Sequence, residues 1–206
     1  MENNNNYPSD KEEQNGSLKE TGNFWSEVYD WLDCAVITVM VILLVFTFLF
    51  RQVKIDGGSM NPTLIDGDRV VVSDVLYTPK YGDIVVISNE VYDNVPIIKR
   101  VIATEGQWVD IYEGTVYVGD TKDSMKAVGS EFVGELYTEA VVGNPDYYGY
   151  HEYPLQVPEN HVFVLGDNRS VSVDSRTAVV GLIDRRQILG KALYRVYPFD
   201  KIGSVY

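Results

Sequence analysis

The feature of this sequence that most limits its fold is an apolar run, CAVITVMVILLVFTFLF, at residues 34–50. It contains no charged residue, and as a helix rising about 1.5 Å per residue it would extend roughly 25 Å. That is the short end of the ~17–25 residues that cross a bilayer. Trp25, Tyr29 and Trp31 precede the run, where aromatic side chains commonly lie at a membrane interface. These features predict one transmembrane anchor over 25–51.

Two other interpretations of the apolar run are a buried core helix and the apolar part of a cleaved signal peptide. The run is long for a signal peptide, acidic rather than basic residues precede it, and no A-x-A-like cleavage site follows. Residues 1–24 are rich in Asn, Glu, Ser and Gly and have little apolar surface to offset ordering entropy. They are predicted to be a disordered tail.

The charges beside the anchor give only a weak indication of its orientation. Residues 1–33 contain Lys11 and Lys19 against eight acidic residues, whereas Arg51, Lys54 and Arg69 follow the run. Counted by Lys and Arg alone, the positive-inside rule places the C-terminal side in the cytoplasm.

Residues 52–206 are predicted to form one mainly β domain, either a barrel or stacked sheets. Short β-type runs recur between turn residues, and no helical periodicity or internal repeat is present. The segment 107–120 is typical of a hairpin with Gly114 in its turn. Residues 121–157 are spotted with glycine and rich in tyrosine, which predicts an irregular insertion or cap. The β-type runs are DRVVVSDVLY, GDIVVIS, PIIKRVIAT, QWVDIYEGTVYVGD, HVFVLGDN and QILGKALYRVYPF.

Composition excludes several classes of function. The net charge of −13 argues against a nucleic-acid partner, which requires clustered Lys and Arg. Cys34 is the only cysteine, so no disulfide forms within the chain. His151 and His161 have no zinc-ligand spacing with it, and no loop has EF-hand spacing. The sequence therefore predicts neither a metal nor another cofactor.

Ser59 lies in GGSMNPTL, residues 57–64, an arrangement that core packing does not require. A serine hydroxyl is a weak nucleophile without a neighbouring base. His151 and His161 are the usual type of base, but both have the context of loop or surface histidines.

Lys99 is the more informative candidate, in PIIKRVIA. Strand alternation puts Lys99 and Arg100 on opposite faces, both of them apolar, so geometry alone leaves open which is buried. Arginine stays protonated, whereas the pKa of a buried lysine falls and leaves an amine able to accept a proton. The alternative is an edge strand whose two cations extend into water.

Four motifs in order resemble the type I signal peptidases of bacteria, which are membrane-anchored Ser–Lys endopeptidases. The motifs are SMNPTL at 59–64, GDIV at 82–85, KRV at 99–101 and GDNRSVSVDSR at 166–176. Together they cover most of residues 53–200 after one anchor, as in the Gram-positive form of the family.

The resemblance implies a role for individual residues. Ser59 would be the nucleophile and Lys99 the general base, with Ser172 hydrogen-bonded to the lysine amine. A supporting network of ion pairs would shape the site, formed by Asp167, Asp174, Arg176 and Arg100.

Two departures from the family pattern affect the site. The lysine strand runs on to Ala103–Gln107, which retains only Gly106 of the usual G-x-P-G-D turn. Gly57 stands where some members have an oxyanion-binding serine, which leaves the backbone N–H of Ser59 as the obvious donor.

The substrates implied are signal peptides of exported preproteins, bound as an extended strand and cut after small-x-small sites. Met60, Val53 and Ile55 are candidate pocket walls. The family topology puts the tail in the cytoplasm and the catalytic domain outside, opposite to the Lys/Arg count. The rival hypotheses are a membrane-tethered β domain that only binds, and a Ser–Lys self-cleaving regulator.

Overall fold

The computed structural model describes residues 24–88, 95–133 and 152–205. The chain divides into two compact units, with the boundary between Leu44 and Val45. Of the predicted tail, only Phe24 is among the described residues, and it begins a helix. His151 and residues 134–150 of the predicted insertion lie outside them.

Helix α1, Phe24–Leu49, contains 26 residues. At about 1.5 Å per residue it is roughly 39 Å long, enough to cross a hydrocarbon layer of about 30 Å. Its large apolar side chains from Val36 to Phe46 are exposed. By length and composition this is the one described helix that is able to span a membrane.

The rest of the described chain is mainly β, as predicted, with only one further α-helix, α2, a single turn at Ser130–Val133. The strands are β1 Arg51–Lys54, β2 Arg69–Ser73, β3 Ile84–Ile87, β4 Ile97–Thr104, β5 Trp108–Tyr112, β6 Thr115–Gly119, β7 Lys126–Ala127, β8 Leu155–Gln156, β9 His161–Leu165, β10 Ile183–Asp184, β11 Ile188–Tyr197 and β12 Gly203–Ser204.

These strands form two antiparallel sheets. The larger has the order β1-β2-β11-β3-β4-β9-β10, with β12 added to β11. Strand β11 pairs with β3 through its first residues and with β2 through the rest, and its register shifts curl the sheet. Gly190 lies where β11 approaches β2 so closely that a Cβ would come within 2.7 Å of the Ser73 carbonyl oxygen.

The smaller sheet has the order β7-β6-β5-β8. Its centre is the predicted hairpin of β5 and β6, in which Glu113 and Gly114 both have positive φ. Strands β7 and β8, from the two described ends of the predicted insertion, are its edges. An apolar cluster joins this sheet to β4 and β9, with Val109 and Val116 packed in the same cluster as Ile102 and Phe163.

The larger sheet is apolar on both faces near its middle. On β3, Ile84 and Val86 belong to one core cluster, and Val85 and Ile87 belong to another. The pattern explains why GDIVVIS has no polar alternation, since a strand buried on both faces is apolar throughout. Strand β4 pairs with β3 on one side and β9 on the other, which puts its two cations inside the sheet.

Candidate active site

Ser59 lies in the loop between β1 and β2, and backbone hydrogen bonds close the base of that loop. The Ile55 N–H donates to the Asp68 carbonyl at 2.8 Å, and the Gly67 N–H donates to the Ile55 carbonyl at 3.0 Å. Gly57 has a φ of +88°, which favours glycine, and a Cβ at Gly57 or Gly58 would meet nothing within 4 Å. The backbone before Ser59 is therefore unobstructed.

The side chain of Lys99 extends from β4 to Ser59. Lys99 Nζ lies 2.9 Å from Ser59 Oγ and donates to the Ile98 carbonyl at 3.0 Å. The residue is only 4% exposed, and no described carboxylate lies within ion-pair distance of its amine. Burial therefore lowers the pKa of Lys99 from its ordinary 10.5 to about 8, although Asp174 acts in the opposite direction.

Arg100, the next residue, is equally buried but fully paired. Its Nε and Nη2 donate to the two carboxylate oxygens of Asp167 at 2.8 and 2.7 Å, and its Nη1 donates to the Gly82 carbonyl at 2.7 Å. The guanidinium also lies 4.0 Å from the ring centroid of Phe132. The alternative of an edge strand with solvated cations is wrong, because β4 is internal and both side chains are buried.

Asp174 and Arg176 form a second buried pair, which fixes the loop after β9. Arg176 donates through Nε and Nη2 to the two oxygens of Asp174 at 2.8 and 2.9 Å. Its Nη2 also donates to the carbonyls of Arg169 and Ser172, and Asp174 accepts the Gly166 N–H at 3.0 Å. These bonds connect Gly166, Arg169 and Ser172 to the Asp174–Arg176 pair.

Ser172 is wholly buried, but its predicted hydrogen bond to Lys99 is not formed in this structure. Its Oγ has no hydrogen-bond partner among the described residues. The Lys99 amine is instead directed to Ser59 and to its neighbour's carbonyl. A Cβ at Gly166 would overlap Ser172 Oγ at 2.1 Å and the Ser59 carbonyl oxygen at 2.5 Å, so Ser172 packs tightly beside the Ser59 backbone.

A groove of about 720 Å³ opens at Ser59 and Lys99. Of the three predicted pocket residues, Val53 and Ile55 line it, whereas Met60 is not among its described lining. Met60 is 0% exposed and belongs to the core cluster with Leu64, because the turn after Ser59 points its side chain inward. The groove is lined by Val53, Lys54, Ile55, Asp56, Gly57, Ser59, Val86, Val95, Pro96, Ile97, Ile98 and Lys99.

Two polar residues that sequence reasoning missed bridge the loop of Ser59 and the loop after β9. Thr63 donates to Asp167 at 2.5 Å, and Asn168 donates to the carbonyls of Gly58 and Ser59. Both lie inside the recognised motifs, but only the folded chain brings them together. His161, considered as a base, begins β9 and its Nδ1 lies 2.8 Å from the Glu159 carbonyl oxygen.

The chain is similar in sequence to known peptidases over most of its length. The family model described as signal peptidase, peptidase S26, matches residues 28–197. Signal peptidase I of Bacillus licheniformis is 34% identical over 180 residues, which cover 86% of this chain and 92% of the relative. Signal peptidase I S of Bacillus subtilis is 33% identical over 178 residues, which cover 85% and 92%.

Among solved structures, a signal peptidase I of Enterococcus faecalis is 25% identical, with a TM-score of 0.41, covering 56% of this chain and 97% of that one.

The chain belongs to the S26 family of signal peptidases, since the family model spans most of its length. With relatives of this similarity it is a bacterial peptidase of the signal peptidase I type, and thus a hydrolase.

Proposed function

We propose that the protein removes signal peptides from exported preproteins with a Ser59–Lys99 dyad. The observation that carries this proposal is the 2.9 Å separation of Lys99 Nζ from Ser59 Oγ inside a buried site that lowers the pKa of the amine to about 8. A neutral amine at that distance is within reach of the hydroxyl proton. Ser59 and Lys99 are then the catalytic residues.

In the first step, neutral Lys99 accepts the proton of Ser59 Oγ while the oxygen attacks the scissile carbonyl carbon. The C–N bond then breaks, and the protonated lysine returns the proton to the leaving amine, which leaves an acyl-enzyme. In the second step, Lys99 takes a proton from water while the water oxygen attacks the ester carbonyl carbon. The C–O bond to Ser59 then breaks, the protonated lysine returns the proton to Ser59 Oγ, and the signal peptide leaves with a new carboxylic acid at its end. Lys99 is neutral at the start of each half-reaction.

The oxyanion of the tetrahedral intermediate is proposed to accept the backbone N–H of Ser59. Within the described residues this N–H has no hydrogen-bond acceptor. Gly57 contributes no side chain beside it, and its own N–H donates to Asp66 at 3.1 Å. The two glycines leave the backbone open to a substrate carbonyl.

Supporting roles are proposed for the buried pairs. Arg100 with Asp167, and Arg176 with Asp174, hold the loops that carry Ser59 and Ser172. Ser172 is proposed to orient the Lys99 amine during catalysis, a contact that is not formed in this structure.

The substrate is proposed to bind as an extended segment along the groove, with small side chains beside Val53 and Ile55. Shallow apolar pockets along the groove are proposed to hold small side chains better than large ones, which would give cutting after small-x-small sites. Pocket contact by Met60 is not retained, because its side chain is enclosed in the core.

Helix α1 is proposed to anchor the protein in the cell membrane by one pass. Residues 1–24 would then be a cytoplasmic tail, 25–51 the anchor and 52–206 the peptidase domain on the extracytoplasmic side. That orientation follows from where exported preproteins present their signal peptides, and it opposes the weak Lys/Arg count.

Cleavage of a model preprotein in detergent tests this function, with the native enzyme compared with Ser59→Ala and Lys99→Ala. The proposal expects cutting after the small-x-small site and near-complete loss in both variants while their folding is unchanged. Full activity of Lys99→Ala would point to another base. If the native protein cuts none of several preproteins, the hypothesis of a non-enzymatic binding domain is favoured. If it cuts only its own chain, the hypothesis of a self-cleaving regulator is favoured.

A further inference from the structure

We propose that Asn168 is a positioning residue for this reaction: its side-chain amide orients the Gly58–Ser59 peptide so that the Ser59 N–H points toward the oxyanion. The inference rests on the proposed function, in which that N–H is the oxyanion donor. Asn168 itself touches neither substrate nor the reacting atoms.

Asn168 contacts the nucleophile loop at two successive carbonyls. Its backbone N–H donates to the Ser59 carbonyl at 2.9 Å, and its Nδ2 donates to the Gly58 carbonyl at 3.1 Å. Its own carbonyl accepts the N–H groups of Val171 and Ser172, so the residue is held by the loop that follows it. Asn168 thus connects two loops that are 110 residues apart in sequence.

The bond to Gly58 acts on the oxyanion donor because both groups belong to one rigid plane. In a trans peptide the C=O and the N–H point in opposite directions. Fixing the direction of the Gly58 carbonyl therefore fixes the direction of the Ser59 N–H. A hydrogen bond accepted by the carbonyl also polarises the N–H of the same unit and strengthens it as a donor.

The Gly58 carbonyl itself fixes which end of the Asn168 amide faces it, because a carbonyl oxygen only accepts and the NH₂ group is the donor end of the amide. Ser170 Oγ donates to the other end, Asn168 Oδ1, at 3.0 Å. The Gly58 carbonyl also accepts the Asn61 N–H at 3.2 Å, a bond within the loop itself. Asn168 adds the constraint that comes from outside the loop.

The test compares the full-length native enzyme with Asn168→Ala, using a peptide aldehyde that ends at a small-x-small site and the matching peptide alcohol. The aldehyde forms a hemiacetal oxygen at the oxyanion position with Ser59, whereas the alcohol does not. We expect kcat to fall about tenfold with KM unchanged, the size of a lost neutral hydrogen bond next to an oxyanion donor. The preference for aldehyde over alcohol should fall by a similar factor.

The midpoint of the pH–rate profile should stay at its native value, because the Ser59–Lys99 contact does not involve Asn168. Asn168→Asp should lose more, about 100-fold, since a carboxylate would repel the Gly58 carbonyl and the developing oxyanion. Val171→Ala is the matched control, because its side chain is exposed in the same loop and the substitution keeps its backbone N–H, which donates to the Asn168 carbonyl. That control should keep native kcat and native aldehyde preference.

Native aldehyde preference in Asn168→Ala, or a loss of kcat accompanied by a shifted pH midpoint, would overturn the inference while leaving the dyad intact. If the native enzyme shows no aldehyde preference, or if Ser59→Ala still cuts, the proposed function fails and this inference fails with it.

Discussion

Two adjacent residues of β4 place buried cations on opposite faces of the sheet, and the groups that contact the two cations differ. Lys99 meets a hydroxyl, a backbone carbonyl and apolar groove walls, and burial lowers its pKa. Arg100 meets both oxygens of Asp167, a carbonyl and an aromatic face. The exposed fractions of the two residues are nearly the same, 4% for Lys99 and 2% for Arg100, so the two cations differ in their partners and not in their burial.

The comparison teaches that an unpaired buried cation is reactive, whereas a paired one is structural. A buried amine without a counter-ion gives up its proton readily, and this is the property required of a general base. A guanidinium stays charged and requires its carboxylate. Replacing each cation by the same uncharged side chain, methionine, should therefore give opposite effects on stability.

The largest effect is expected for Lys99→Met. Cleavage should fall at least about 10³-fold, since the base is lost. Stability at pH 7 should rise by up to about 3 kcal/mol, because the native ammonium is buried with a pKa below its ordinary 10.5. The free-energy cost of burying the charged Lys99 amine in the native protein is present in full below pH 8, and it disappears as the pH rises through 8 toward 10.5. Chemical unfolding in detergent at several pH values measures the difference in free energy of unfolding between Lys99→Met and the native protein. A stability gain of the variant that does not shrink above pH 8 would contradict this explanation.

Arg100→Met should do the reverse. It leaves Asp167 buried without its cation and the Gly82 carbonyl without its donor, which costs about 3–5 kcal/mol. The unfolding midpoint at pH 7 measures the loss, with Lys99→Met as the matched comparison on the same strand. Equal effects of the two substitutions would show that pairing does not distinguish these sites.

Adding Asp167→Asn to Arg100→Met should recover part of that stability, about 1–3 kcal/mol. The neutral amide removes the unpaired buried charge and keeps an oxygen for the Thr63 hydroxyl. The same unfolding experiment checks the recovery. A double variant no more stable than the single one would place the loss in packing rather than in charge.

The smallest effect on stability, below about 1 kcal/mol, is expected for Ser172→Ala, because its buried hydroxyl has no partner among the described residues. If Ser172 orients the amine during catalysis, kcat should still fall about tenfold. Steady-state kinetics beside the unfolding curve separates the two. Unchanged kcat would remove Ser172 from the mechanism.

Sequence reasoning predicted the parts of the molecule that depend on local pattern. The hairpin around Gly114 follows from its turn residues, and the opposite directions of Lys99 and Arg100 follow from strand alternation. The burial of both cations could not be predicted in this way, because the two apolar faces of β4 give no indication of which neighbours cover them. Met60 is a predicted pocket wall, whereas the turn after Ser59 directs its side chain into the core.

Contacts between distant segments were the least predictable. The bond from Asn168 to Gly58 joins residues 110 positions apart, and neither motif alone indicates it. The position of Ser172 near Ser59 followed from the family resemblance, but the direction of its hydroxyl depends on packing against Gly166.

The titration of the Lys99 amine tests the central claim most directly. Labelling lysine side chains with ¹³C at Cε and assigning the Lys99 signal with Lys99→Met allows its shift to be followed with pH in the detergent-solubilised enzyme. We predict a midpoint at about 8, matched by the pH midpoint of cleavage. A midpoint near the ordinary 10.5 would mean that burial does not favour the neutral amine of Lys99, and it would contradict its assignment as the base.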